Sequence, residues 1–235
     1  MLYGWNDCSD GEKGAILDAL KEKSTVVGTQ STWTINWNGA LVVQFFGSPT
    51  GLLFKDYRQK LQDNFHYAYK FGNGNWFTGY NTQVLCHDKS LDGDHKDDYQ
   101  KPDGWPGHII VVSNYADGHD AIMFCDSWFR LPPLKGAMEI GRSKGNDRDR
   151  HNLNYYDNRA IHWITVLMMK HDVGVKTWVS DARTVEILVL ERDLDYLRPL
   201  ESADTYGRFA IASYIQDDSK WGWYPARPYV PTDLE

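Results

Sequence analysis

The sequence predicts an α+β fold, mainly helical with a small β-sheet, on three observations. Apolar residues recur at three- and four-residue spacing in several separate stretches, the mark of amphipathic helices. Two short apolar runs, His108-Ile109-Ile110-Val111-Val112 and Ala121-Ile122-Met123-Phe124-Cys125, have the length and composition of buried strands. No internal repeat or long Gly/Ser linker divides the 235 residues, which predicts one domain over 1–217 with a Pro-rich tail, 218–235, packed on it.

In chain order, Asp10-Gly11-Glu12-Lys13 opens a helix whose stripe is Ala15, Ile16, Leu17, Ala19 and Leu20, ending near Ser24. Thr25 to Phe46 is rich in Val, Thr, Trp and Ile and reads as one or two strands. After the Gly47–Gly51 turn, Leu53, Phe54, Tyr57, Leu61, Phe65 and Tyr69 mark a second amphipathic helix. A turn at Gly72–Asn75 leads to a short extended piece, Thr82–Cys86. Asp88 to Asp103 carries six aspartates, but their spacing fails the EF-hand pattern, so it reads as a solvated acidic loop or a loose calcium site.

The two strands at 108–112 and 121–125 are separated by a turn at Ala116-Asp117-Gly118. His119-Asp120, between them, reads as a polar turn pair or a pair able to orient a nucleophile. Leu131-Pro132-Pro133-Leu134 leaves the sheet, and Gly141 to Arg150 is a highly charged loop. Asp157 or Asn158 can cap a third helix, Ala160 to Lys170, which is apolar nearly all round and therefore central. Helices over Asp181–Asp193 and Ser202–Ile215 follow, and the prolines after Trp221 exclude regular helix there.

Composition narrows the function. Hydrophobic residues make up 42% and charged ones 24%, which excludes wholesale disorder. The net charge of −7 speaks against a nucleic-acid partner, and no run approaches the ~20 apolar residues of a membrane span. There is no GxGxxG or GxxxxGK[ST] phosphate loop, no GxSxG elbow and no CxxC pair. The N-terminus has neither the basic start nor the apolar stretch of a signal peptide. Cys8, Cys86 and Cys125 allow three alternative single bridges or three free thiols; a Cys86–Cys125 bridge would close a loop of about 40 residues, worth roughly 4 kcal/mol. His162 is the polar exception in the central helix and must find a hydrogen-bond partner or a metal there.

Several landmarks in order carry a resemblance. They are Cys8 and its helix, Phe45-Phe46-Gly47, Cys86, the stretch Phe124-Cys125-Asp126-Ser127-Trp128-Phe129-Arg130-Leu131-Pro132, the helix with His162, and Ala203-Asp204-Thr205-Tyr206 with Phe209-Ala210. Together they resemble the deuterolysin-like (aspzincin) metallopeptidase superfamily of fungi, including the lysine-specific metallo-endopeptidase-like domains. The resemblance implies a zincin-like fold and secretion. It also implies a zinc site whose first histidine falls on His162. There the family's His-Glu-x-x-His reads His162-Trp163-Ile164-Thr165-Val166, so the general-base carboxylate falls on Trp163 and the second imidazole on Val166. The family's third ligand should lie between His171 and Arg183, where Asp172 and Asp181 lack its Tyr-Gly context.

Zinc-assisted hydrolysis needs about three protein ligands, a water and a base. The expectation is therefore a secreted peptidase-like protein without activity and without a cofactor, a monomer gripping a protein or peptide in the former active-site cleft. Two alternatives stand beside it. One is a zinc metallo-endopeptidase rebuilt from His162, His171 and an aspartate. The other is a carbohydrate-binding protein using Trp5, Trp33, Trp37, Trp76 and Trp105.

Overall fold

The computed structural model describes residues 2–46, 52–73, 82–87, 109–115, 119–170, 175 and 202–218. The predicted elements at 88–103, 116–118 and 181–193 lie outside these residues, as do His171, Asp172, Asp181, Trp76, Trp105 and all but the first residue of the 218–235 tail.

A four-stranded sheet forms one layer. Strand β1 (Leu2–Asn6) lies parallel to β2 (Thr82–Cys86), which lies parallel to β4 (His119–Phe124), and β3 (Ile109–Tyr115) closes the sheet antiparallel to β4, giving the order β1-β2-β4-β3. Val84 stands beside Ile122 and Cys86 beside Phe124, while Ile110 opposes Met123. Val84, Leu85 and Ala121 through Phe124 are all buried, as expected of strands covered on both faces. His119-Asp120 belongs to β4 rather than to a turn. β1 was not foreseen: Gly4 and Trp5 have φ of 85° and 53°, and the register breaks between Tyr3 and Asn6, so no strand alternation is visible in the sequence.

The helices form the second layer. Helix α1 (Asp10–Val27) begins with a capping box, the Ser9 hydroxyl accepting from the Glu12 amide at 3.4 Å while Glu12 Oε2 accepts from the Ser9 amide at 2.8 Å. The region read as strand, Thr25 to Phe46, is helical instead. α1 runs on to Val27, and α2 (Gln30–Trp33) and α3 (Ala40–Phe46) follow. Val and Thr favour strands only where they fit a pleated surface. Here Leu41, Val42, Phe45 and Phe46 fall on one helical side and are buried, so tertiary packing decided. Helix α4 (Leu52–Lys70) agrees with its periodicity.

After β4 come α5 (Asp126–Phe129), α6 (Leu134–Arg142), α7 (Asp147–Arg150) and a single 3-10 turn at Leu153–Tyr156. The stretch read as a charged loop from Gly141 is therefore largely helical. Its anchor is Gly141 itself, where a Cβ would stand 2.3 Å from the Tyr156 ring. The central helix α8 (Arg159–Met169) starts on Asn158, whose side chain accepts from the amides of Ala160 and Ile161 at 2.9 and 3.2 Å. Helix α9 (Ala203–Asp217) lies against α8 so closely that a Cβ on Gly207 would meet Thr165 Oγ1 at 2.7 Å.

Phe45 and Phe46 of α3, Phe65 of α4, and Tyr206 and Phe209 of α9 form one aromatic cluster, with centroid separations of 5.1 to 6.0 Å. The early Phe45-Phe46 and late Tyr206/Phe209 landmarks thus meet in space. Among the described residues, no helix is long and apolar enough to cross a membrane.

The candidate site around His162

After Arg159, helix α8 carries one ionisable residue among the apolar ones of its stretch, His162, which is partly buried while residues 160, 161 and 163–168 are buried. His162 Nε2 lies 3.0 Å from Asp157 Oδ1, five residues back and just before the Asn158 cap. The same oxygen is 4.0 Å from an Arg208 guanidinium nitrogen on the second turn of α9. Asp157 thus stands between an imidazole and a guanidinium, and its contact with Nε2 sets the orientation of the ring. The polar residue in the apolar helix has found a carboxylate.

Positions 163 and 166 decide what this helix can do. Trp163 is fully buried and donates from its indole nitrogen to the Ile16 carbonyl at 3.3 Å. Its ring packs against Phe124 of β4 at 5.2 Å and Phe71 at 6.0 Å. Val166 is likewise fully buried. Trp163 therefore couples α8 to α1 and the sheet and is not bulk standing in a cleft. An indole nitrogen carrying a proton and an isopropyl group offer no lone pair to a cation, so these positions do not fit zinc. Among the described residues, no three His, Cys, Asp or Glu side chains gather in a metal-holding arrangement.

The cysteines resolve differently from the loop considered first. Cys8 pairs with Cys86, 78 residues away, and Cys125 keeps its thiol outside the bridge. Cys86 stands beside Phe124 in the parallel register, while Cys125 has already left the strand as the residue capping α5. The bridge joins the entry of α1 to the end of β2, and its loop is worth roughly 4–5 kcal/mol on the chain-entropy estimate.

Three of the tryptophans considered for sugar stacking are described, and each has a packing role. Trp5 lies against the core, Trp33 sits 4.5 Å from the His66 ring and 5.0 Å from Tyr69, and the Arg58 guanidinium lies 5.5 Å over Trp37.

A second polar cluster escaped the sequence reading. His87, directly after Cys86, lies with Nε2 2.8 Å from Glu12 Oε1, and its Nδ1 meets Asp126 Oδ1. The Asp126 hydrogen bond is the largest influence on the His87 pKa; with the charges of Glu12 and Asp126 it outweighs the opposing effect of burial and raises the pKa above its ordinary value. Burial would raise Glu12, but bonds from the Ser9 hydroxyl and amide and the nearby imidazole win, holding it below the usual carboxylate range. The one hint in the sequence was that His87 and Asp126 each directly follow a cysteine.

No protein-family model matches the chain, and no curated protein matches it. Among solved structures, one described as a zinc peptidase from Grifola frondosa is similar, with a TM-score of 0.52 and 14% identity over 86% of this chain and 96% of that one. At that identity the likeness speaks of architecture. The chain has a mainly helical, zincin-like α+β fold of the kind seen in that zinc peptidase.

Proposed function

We propose that the chain is a secreted, peptidase-like protein that lacks zinc-dependent activity and serves as a binding or effector module. In this reading a protein or peptide segment is its ligand, held by a monomer where the fold would otherwise place a catalytic cleft. The observation that carries the proposal is the state of α8. The positions where a catalytic carboxylate and a second imidazole would be needed are an indole and an isopropyl group sunk in the core, and His162 is held by Asp157. Rebuilding a metal site there would require emptying the core around Phe124 and Ile16, beyond any change of rotamer. The Cys8–Cys86 bridge supports an oxidising destination, since such bridges persist outside the reducing cytosol.

The test is zinc content and proteolysis measured on the same preparation. Protein dialysed against zinc should hold far less than one equivalent, and casein-like substrates should survive incubation. Stoichiometric zinc that disappears in His162→Ala, with cleavage stopped by a chelator, would replace this reading with the rearranged peptidase. If both measurements are negative, a peptide-library pull-down with the intact protein then asks for the ligand.

A further inference from the structure

The Glu12–His87–Asp126 cluster lies at the end of the sheet where β1 and β2 finish and α1 and α5 begin. Both ring nitrogens of His87 meet a carboxylate oxygen. A neutral imidazole has one N–H and one lone pair, so it can satisfy only one of these acceptors and must turn its lone pair on the other. Only the imidazolium donates to both.

The surroundings agree with a charged ring. The ionisable groups that meet it are Glu12 from α1 and Asp126 from α5. Phe129 of α5 supplies an apolar ring 5.9 Å away, and Lys13, on the same turn of α1, is drawn to Asp10 at 3.2 Å. The backbone here is also unusual. His87 has φ of 62°, and Asp7, next to Cys8, has φ of 59°. Both residues that flank the disulfide on this side therefore hold a left-handed conformation that is uncommon for L-residues, though Asp and His adopt it more readily than most.

We propose that His87 is a proton-operated clasp: its imidazolium pins the first turn of α1 and the start of α5 to the end of β2, and deprotonation loosens this end of the molecule around the Cys8–Cys86 bridge. The sign follows from the geometry. A histidine whose charged form is favoured in the fold contributes stability in full below its unfolded pKa of about 6.5, and this is lost as pH rises through the higher folded value.

The test compares the full chain with His87→Asn, because asparagine tolerates the left-handed backbone but carries no titrating proton. At pH 5.5 the wild type should melt roughly 2–4 °C higher than the variant, and the gap should close by pH 8.5. Reduction of the disulfide by a phosphine should show the same crossover, several-fold slower in the wild type at pH 5.5 and equal at pH 8.5. A gap that does not change with pH, or a His87 ring resonance titrating at or below the ordinary histidine value, overturns the proposal. If His87→Asn fails to fold, Asp126→Asn takes its place. Its side chain is 76% exposed, and its loss should lower the His87 titration midpoint while leaving the Glu12 contact. An unmoved midpoint in that variant overturns the proposal equally.

Discussion

Lys23 offers a quantitative test of how the helical layer is held. It sits on α1 with no exposed surface, and its ammonium donates to the carbonyls of Ala68 and Phe71 at 2.5 and 2.6 Å. These carbonyls belong to the last turn of α4 and the residue after it, where the helix leaves acceptors without partners of its own. Lys23 thus caps α4 from a neighbouring helix. Burial pushes its amine down from 10.5 to about 7. The consequence has a definite sign: between about pH 7 and 10.5 the unfolded chain holds a proton on this amine that the folded chain does not, so stability rises with pH across that window. From pH 6 to pH 8.5 the gain is about 2 kcal/mol, from roughly one and a half pKa units at 1.36 kcal/mol each. Lys23→Met keeps the bulk and removes the titration. Urea unfolding of both proteins at pH 6 and pH 8.5 gives two stability differences, and the second should favour the lysine protein by about 2 kcal/mol more than the first. Equal differences would mean that the two carbonyls hold the ammonium fully charged, and the argument from burial would be wrong.

The other expectations concern packing and pairing. Gly207→Ala places a methyl group 2.7 Å from Thr165 Oγ1 and 2.9 Å from Ile161 Cγ2. The two helices must separate, and a thermal melt should report a loss of about 1–3 kcal/mol. Titrating thiols in denaturant should find one in the wild type and two in Cys8→Ser; a Cys86–Cys125 bridge would instead leave none in that variant. Trp163→Glu, the change that writes a His-Glu dipeptide into α8, should destabilise by at least 3 kcal/mol in urea unfolding, because it buries a carboxylate against Phe124 and Phe71. Recovery of a stable, zinc-loaded protein from that single change would refute the account of α8.

The parts of the fold that could be read in advance are those where one periodicity dominates. Helix α4 repeats its apolar residues over five turns, α8 is apolar nearly all round, and the two short runs around 110 and 122 have no polar face to confuse them. The stretch from Thr25 to Phe46 misled because its β-branched residues suggest strand locally. What packs the end of this stretch is an aromatic cluster in which Phe45 and Phe46 meet Tyr206 and Phe209, about 160 residues later. At the candidate site, the sequence itself shows an indole and an isopropyl group at positions 163 and 166. It does not show that Trp163 lies in the core, or that Asp157 supplies the partner of His162. The His87 cluster was invisible for a simpler reason: its members are 75 and 39 residues apart, and only the parallel pairing of β2 with β4 and the Cys8–Cys86 bridge bring them together.

The irregular border of the sheet has its own effect on how copies of the protein meet. β1 is an outermost strand, and a straight outermost strand presents a row of amides and carbonyls that a neighbouring chain can extend. The reversed dihedral angles at Gly4 and Trp5 bend this margin after only two regular residues. An incoming segment would find too short a ladder to grow on, so the crooked margin works against fibrous self-association at high concentration.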